Sequence, residues 1–297
     1  MLAPDPRAAL DLARFRSSSS QVRLDVTGLS HRGLVRPNNE DQFLVTRLTR
    51  SMETMVSSLG SADVPARADE VNYVMLVADG MGGHAGGEVA SRMAISELVN
   101  LALLLPDWIF RMNERSRPEL EWRARQLLRQ VNALVTDRGA RDPALRGMGT
   151  TLTAARSLGR DLMIVHVGDS RAYLFRNGRL HRLTRDHTFA QWLLDSGQLA
   201  ADEAQSSKLR HVLTNVVGGS DDDAEVDIDV LQLDDGDRVL LCSDGLTDGL
   251  DDETIAGTLS AAGSSNEACR RLMQLALDRG GRDNITVIVG AYTIPHD

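Results

Sequence analysis

Lysine is almost missing from this sequence of 297 residues: Lys208 is the only one, and every other basic residue is an arginine. That excludes any mechanism needing a lysine elsewhere, including a Walker-type phosphate loop. Cysteine is equally scarce. Cys242 and Cys269 stand alone, with no CxxC pair and no histidine at zinc-finger spacing. A disulfide scaffold is excluded, and the thiols are expected to be reduced, as in a reducing compartment. Long apolar runs are absent as well. Residues 1–20 lack the apolar stretch of a signal peptide. The most apolar window, 93–110, is broken by Glu97, Asn100, Pro106 and Asp107, whereas a membrane span needs about 20 apolar residues in a row. The expectation is a soluble, cytoplasmic protein with no membrane partner.

Nor is there a surplus of positive charge. The 42 Asp+Glu against 33 Lys+Arg give a net charge of −9, which argues against nucleic acid as a partner. The acid surplus suits divalent cations, whose natural ligands are carboxylates. Apolar residues at 42% and charged residues at 25% are ordinary for a globular chain long enough to bury a core.

Along the chain, residues 1–20 read as a mobile tail ending in four serines. Alternation begins at Val22, Leu24 and Val26, as in a half-buried strand. A second short strand is expected at 42–46, and 47–70 has so little periodicity that it reads as an inserted loop. Residues 73–78 (YVMLVA) form a continuous apolar run, expected to be a central strand. Helices are expected at 88–105 and 119–138. Strands follow at 150–155 and 162–167, then a hairpin about Asn177 and Gly178, a type I′ turn signal. Strands at 226–230 and 238–242 flank an acidic turn at 234–237. Helices at 253–259 and 266–279 precede a last apolar strand, 285–291. The order is not an alternation of strand and helix, so the fold class is α+β with mainly antiparallel sheet. So many strands in one domain suggest two sheets packed face to face.

The informative pattern is where the acids stand. Glu40 and Asp41, Asp79, Asp169, Asp244 and Asp283 each lie beside Gly, Asn or Ser, and Asp79, Asp169 and Asp244 follow strongly apolar strands. Any one of them could be a turn former or helix cap. Strands of a sheet can end side by side, however, and converged carboxylates need cations to hold them. Two hard ions about 3.5–4 Å apart can bind one hydroxide and a phosphoryl group together. This suggests a two-metal phosphohydrolase. Competing motifs are poor. Gly80, Gly82 and Ala85 fit a dinucleotide fingerprint, but Asp79 would face the pyrophosphate and the expected downstream acid is missing. No GxSxG elbow exists. Residues 221–223 (Asp-Asp-Asp) lack calcium-loop spacing and read as a solvated loop.

Seven segments in order carry a resemblance to a known family: RPNNEDQF from Arg36, VADGMGGH from Val77, GTT from Gly149, GDSR from Gly168, LTRDH from Leu183, SDGLTD from Ser243 and RDN from Arg282. Over about residues 22–292 the chain resembles the PPM family, the metal-dependent 2C-type protein serine/threonine phosphatases, in their bacterial form. The resemblance implies a four-layer α-β-β-α sandwich, with two mainly antiparallel sheets flanked by helices. It implies one phosphatase domain over 21–293, with 189–212 as a flap beside the site that shapes substrate choice. Asp79 would bridge two Mn²⁺ or Mg²⁺ ions, with Glu40 and the Gly80 carbonyl on the second and Asp244 and Asp283 on the first. Asp169, with Asp244, would support a weaker third. Asp41, itself not a ligand, would orient a metal-bound water, and Arg36 would bind phosphate. His84 is the candidate proton donor by its place in GMGGH, its alternative role being to order the glycine turn. His187 reads as a structural tie, Gly149, Thr150 and Thr151 as packing, and Arg171 as a scaffold ion pair. The implied partners are phosphorylated proteins and their serine/threonine kinases, and the implied state is a monomer. A non-catalytic binding module on the same fold and a hydrolase of small phosphate esters are the alternatives.

Overall fold

The run YVMLVA is apolar on both faces because it lies in a strand buried between layers. In the computed structural model, which describes residues 22–60, 63–82, 86–104, 117–200, 203–204, 207–219 and 224–295, this run belongs to β3 (Arg67–Met81). That strand lies between β2 (Asp41–Glu53) on one side and β5 (Leu152–Leu158) and β4 (Gly149–Thr150) on the other. The sheet continues through β6 (Asp161–Val167) to β10 (Asp227–Gln232), and through β4 to β9 (Val217–Gly218). The second sheet runs in the order β1 (Arg23–His31), β12 (Ile285–Thr293), β11 (Arg238–Cys242), β7 (Arg171–Arg176) and β8 (Arg179–Arg182). Every pairing between these strands is antiparallel.

Helices close both outer faces. On the first sheet lie α1 (Gly86–Leu104) and α2 (Arg117–Arg141), burying Ala90, Ala94, Leu128 and Val131 against Leu76 and Leu152. On the second lie α5 (Asp252–Ala261) and α6 (Ser265–Asp278), burying Ile255, Leu259 and Leu272 against Leu240 and Val287. Between the sheets Met75, Val77, Ile164, Leu174, Leu241 and Ile288 form a third apolar layer. Removing that surface from water contributes about 25 cal/mol per Å² and joins the two sheets into one α-β-β-α stack. The shorter helices α3 (Phe189–Asp195) and α4 (Asp244–Thr247) sit at the edge discussed below.

One local reading changes in part. The segment expected as a loop, 47–70, is strand at both ends, where β2 and β3 pair from Asp41 opposite Asp79 out to Glu53 opposite Arg67, and a loop between them. The outer half of β2 is exposed, so neither face needs apolar residues and the alternation that betrays a strand is missing. The strands at 226–230 and 238–242 do not pair with each other. Their acidic turn carries the chain from one sheet to the other. The type I′ hairpin holds, with Asn177 at φ 51 and Gly178 at φ 77. The expected tail, 1–20, and the acidic triplet at 221–223 lie outside the described residues.

Candidate metal centre

Several strand ends meet at one edge of the sandwich, and each brings an acid. Asp41 opens β2 directly opposite Asp79 near the end of β3. Asp169 lies between β6 and β7, Asp244 follows β11, and Asp283 precedes β12. Like charges across a ladder repel. Burial, then Asp41, Asp244, Asp169 and Asp283, hold the Asp79 carboxyl well above the usual carboxylate range. Asp169, 7% exposed, is raised by burial and by Asp244 and Asp186. Burial also raises Glu40, with Asp283 and Glu88 acting the same way against Arg36. Asp41 is 2% exposed. Burial pushes it up to about 7, although hydroxyls of Ser243 and Thr286 pull it down.

One carboxylate oxygen of the edge is left over. Ser243 Oγ donates to Asp41 Oδ2 at 2.7 Å, but Oδ1 is buried with no hydrogen-bond partner among the described residues. Buried polar atoms are paired in nearly all proteins, so Oδ1 calls for a water or an ion's hydration shell. An all-oxygen donor set around such an atom fits hard divalent cations.

The main chain beneath is fixed by hydroxyls. Asp79 N–H donates to Thr151 Oγ1 at 2.9 Å, and its carbonyl accepts from Thr150 Oγ1 at 2.8 Å and from Thr151 N–H at 2.9 Å. Thr150 and Thr151, expected as packing, thus hold both peptide groups of Asp79. The Glu40 carbonyl accepts from Ser91 Oγ at 2.6 Å and from Gly80 N–H at 3.2 Å. A Cβ on Gly87 would stand 2.7 Å from the Gly80 carbonyl oxygen and 2.8 Å from the Glu40 carboxyl carbon. Glycine there lets those two groups converge on the start of α1. At the rim, Arg36 Nη2 donates to Asp283 Oδ2 at 2.6 Å, its side chain half exposed.

Asn284 does more than its place beside Asp283 revealed. Its Oδ1 accepts from Glu40 N–H at 2.7 Å, and its Nδ2 donates to the carbonyls of Arg32 at 2.9 Å and Asn38 at 2.8 Å. One buried amide therefore fixes the loop carrying Arg36 and Glu40 against β12. Asn284→Ala takes the partner away from three part-buried backbone groups, Glu40 N–H and the carbonyls of Arg32 and Asn38. It is expected to cost about 2–3 kcal/mol of stability and about tenfold in Mn²⁺ affinity. Thermal melting and calorimetric titration measure the two effects; an unchanged Mn²⁺ affinity would remove this role.

Neighbouring motifs support the edge. Arg171 makes an ion pair with Asp186 at 2.7 Å, as expected of a scaffold pair. His187 Nδ1 accepts from Gly168 N–H at 3.1 Å, next to Asp169, and its Nε2 meets Asp227 at 3.0 Å. The expected flap meets the acids through a residue that no sequence motif marks. A 3-10 turn, Lys208–His211, puts His211 3.9 Å from both Asp244 and Asp248, and Arg210 3.2 Å from Asp248. Local pattern misses His211 because the contact joins distant segments. His84 lies outside the described residues. A cavity of about 350 Å³ under α1 and α2 is lined by apolar groups such as Leu44, Leu76 and Leu128, and contains none of these acids.

This geometry has known counterparts. Residues 63–284 match the family model of protein phosphatase 2C. The serine/threonine protein phosphatase PstP of Mycobacterium tuberculosis is 38% identical over 260 residues, covering 88% of this chain and 43% of PstP. The chain therefore spans less than half the length of that relative. The serine/threonine phosphatase stp of Listeria welshimeri is 35% identical over 73% of this chain and 83% of its own. The crystal structure of the PstP catalytic domain in complex with two manganese ions superposes with a TM-score of 0.70 at 35% identity, covering 92% of this chain and 99% of that one. The chain belongs to the protein phosphatase 2C family.

Proposed function

We propose that this chain is a Mn²⁺- or Mg²⁺-dependent protein phosphatase that hydrolyses phosphoserine and phosphothreonine in proteins. The observation that carries the reading is the convergence of Asp41, Asp79, Asp169, Asp244 and Asp283 on one edge, with Arg36 at its rim. Residues 21–293 act as one phosphatase domain. Asp79, Glu40, the Gly80 carbonyl, Asp244 and Asp283 would hold two ions, and Asp169 with Asp244 a weaker third. None of these donors is missing, which argues against a binding module that has lost its chemistry.

Bound divalent ions supply the Lewis acidity that makes water a nucleophile near neutral pH and offsets phosphoryl charge. The chain's residues do the rest. Asp41 presents an unpartnered oxygen inside the edge, placed to accept a proton of the attacking water and fix its direction. Arg36 is the only guanidinium in contact with Asp283 among the described residues, and its planar fork suits two phosphoryl oxygens. Thr150, Thr151, Ser91, Ser243 and Asn284 keep the acids from relaxing apart, which preorganises the edge for charge developing on phosphorus. The leaving alkoxide is a strong base, and His84, by its place in GMGGH, is the residue assigned to protonate it. No covalent intermediate on the protein is required.

The phosphoproteins acted on, and the serine/threonine kinases opposed, are partners in a reducing, cytoplasmic compartment. The two buried, unpaired cysteines agree with that. The working state is a monomer. Purified chain with Mn²⁺ is expected to hydrolyse p-nitrophenyl phosphate and a phosphothreonine peptide; turnover of neither overturns the proposal. Arg36→Ala is expected to lower kcat/KM on the peptide about 10²-fold, and Arg36→Lys to recover little because an ammonium cannot grip two oxygens at once. Equal rates for wild type and both variants would take Arg36 out of the site.

A further inference from the structure

The bonds of His187 decide which of its ring nitrogens carries the proton. Nδ1 lies 3.1 Å from Gly168 N and 2.8 Å from Asn215 Nδ2. The Asn215 amide is oriented by Glu225: its Oδ1 accepts from Glu225 N–H at 3.1 Å, and its Nδ2 donates to the Glu225 carbonyl at 2.7 Å. Both groups facing Nδ1 are therefore donors, so Nδ1 offers its lone pair and the hydrogen sits on Nε2. Nε2–H donates to Asp227 Oδ2 at 3.0 Å. The ring also packs against the buried imidazole of His166, with centroids 4.9 Å apart. One neutral tautomer in one orientation satisfies every partner.

These bonds close on the residue before Asp169. The ring accepts from Gly168 N–H, and His187 N–H donates to the Gly168 carbonyl at 2.7 Å. Gly168 has φ 105, and a Cβ there would stand 2.6 Å from Thr151 Cβ, so the turn needs glycine and has little hold of its own. On the other side of Asp169, Ser170 Oγ meets Thr151 Oγ1 at 2.7 Å, the same hydroxyl that accepts from Asp79 N–H. Asp169 is thus held from its Ser170 side by the strand next to the bridging acid, and from its Gly168 side by His187.

We propose that His187, oriented by Asn215, is the positioning residue for Asp169 and sets that carboxylate for the weak third cation through the Gly168 peptide. This rests on the phosphatase reading above and on the role given there to Asp169. His187 touches neither substrate nor ion. What it supplies is a neutral acceptor at the place of Nδ1. Without that acceptor the Gly168 peptide is free to turn, and a turned peptide swings the side chain that follows it. Groups standing behind a metal ligand typically carry about 10–100-fold in affinity. The two tightly held ions do not depend on His187, because Asp79 and Glu40 are tied by Thr150, Thr151 and Asn284 instead.

The test counts bound Mn²⁺ directly, from the electron paramagnetic resonance signal of the free ion. It compares wild type with His187→Asn, His187→Gln, Asn215→Ala and Asp169→Asn. Asparagine puts its Oδ1 where Nδ1 stood and keeps an acceptor for Gly168. Glutamine reaches towards Asp227 and leaves Gly168 N–H without one. Wild type is expected to bind two ions tightly and a third weakly. His187→Gln is expected to weaken the third about tenfold and the first two by less than twofold. His187→Asn is expected to stay within twofold of wild type, and Asn215→Ala to weaken the third about fourfold. In Asp169→Asn, adding His187→Gln is expected to change nothing further. A residue that only braced the fold would weaken all three ions together or none, and its Asn and Gln variants would act alike; either result overturns the proposal. So does a wild type that binds no third ion. If His187→Gln does not fold, Asn215→Ala decides in its place, and a third ion held within twofold of wild type overturns the proposal. Wild-type hydrolysis of p-nitrophenyl phosphate in the same preparation shows that the phosphatase reading survives those failures. No turnover and no tightly bound ion would mean that the phosphatase reading itself had failed.

Discussion

Asp79→Asn is expected to lower turnover of a phosphothreonine peptide by at least 10³-fold, about 4 kcal/mol of transition-state stabilisation, in a protein that still folds. The substitution spares the local backbone. The main chain at Asp79 is held by Thr150 and Thr151 through three hydrogen bonds that do not involve its carboxyl group. Asparagine keeps the shape of the side chain and removes its charge. That charge is disfavoured by burial and by four neighbouring acids when no cation is bound. In chelator, therefore, the variant is expected to melt at or above the wild-type temperature. In Mn²⁺ the order reverses. Ligand binding to the folded state stabilises wild type by about 2.7 kcal/mol at a hundred times Kd, and the variant loses most of that gain. Turnover within tenfold of wild type, or an unchanged Mn²⁺-induced melting shift, would dismiss Asp79 as the bridging acid.

The second large effect is a pH dependence of stability whose direction depends on metal. In chelator, Asp41 titrates at about 7 in the folded protein, against ~3.9 unfolded. Asp79 is also raised. The folded state therefore holds more protons than the unfolded state between those values. Stability follows the difference in bound protons, so it is greatest below about pH 4 for these groups and falls as pH rises through the window to about 7. A tenfold difference in proton affinity between the two states is worth about 1.4 kcal/mol, and a domain this size moves by about 2–4 °C per kcal/mol. The melting temperature of the chelated protein is expected to drop by about 5–10 °C between pH 5 and pH 8. Saturating Mn²⁺ binds the ionised form, so its stabilising effect grows over the same interval. Calorimetric melts at both pH values, with and without Mn²⁺, give the four temperatures needed. A chelated protein that grows more stable towards pH 8 would show that the carboxylates are not held against one another.

The two predictions share a design. The acidic edge is a place where the fold accepts repulsion between carboxylates, which bound cations would offset. Ser243, Asn284 and the two threonines keep the acids together meanwhile.

How much of this could be read from the chain differs residue by residue. The central strand at 73–78 was legible because burial on both faces leaves an unbroken apolar run. The hairpin at Asn177 and Gly178 was legible because the turn demands positive φ at both. The outer half of β2 was not: its side chains meet solvent, and only the ladder to β3 makes it a strand. The 234–237 turn was legible, but the two strands around it go to different sheets, and local sequence does not say which sheet a strand will join.

What the sequence by itself determined is the chemistry available and its order. It offers acids at apolar strand ends, an arginine for phosphate in a chain with one lysine, and the family those motifs share. What only the tertiary structure decided is which groups meet. Ser243 reaches Asp41 across 202 positions and Asn284 reaches Glu40 across 244. A bridge between Thr188 and Leu213 ties the start of α3 to the segment whose His211 stands 3.9 Å from Asp244. The reason is physical. Side-chain periodicity records which face of an element is buried. Hydrogen bonds and charge pairs between remote segments depend on strand order and register, which the packing of the whole sandwich sets.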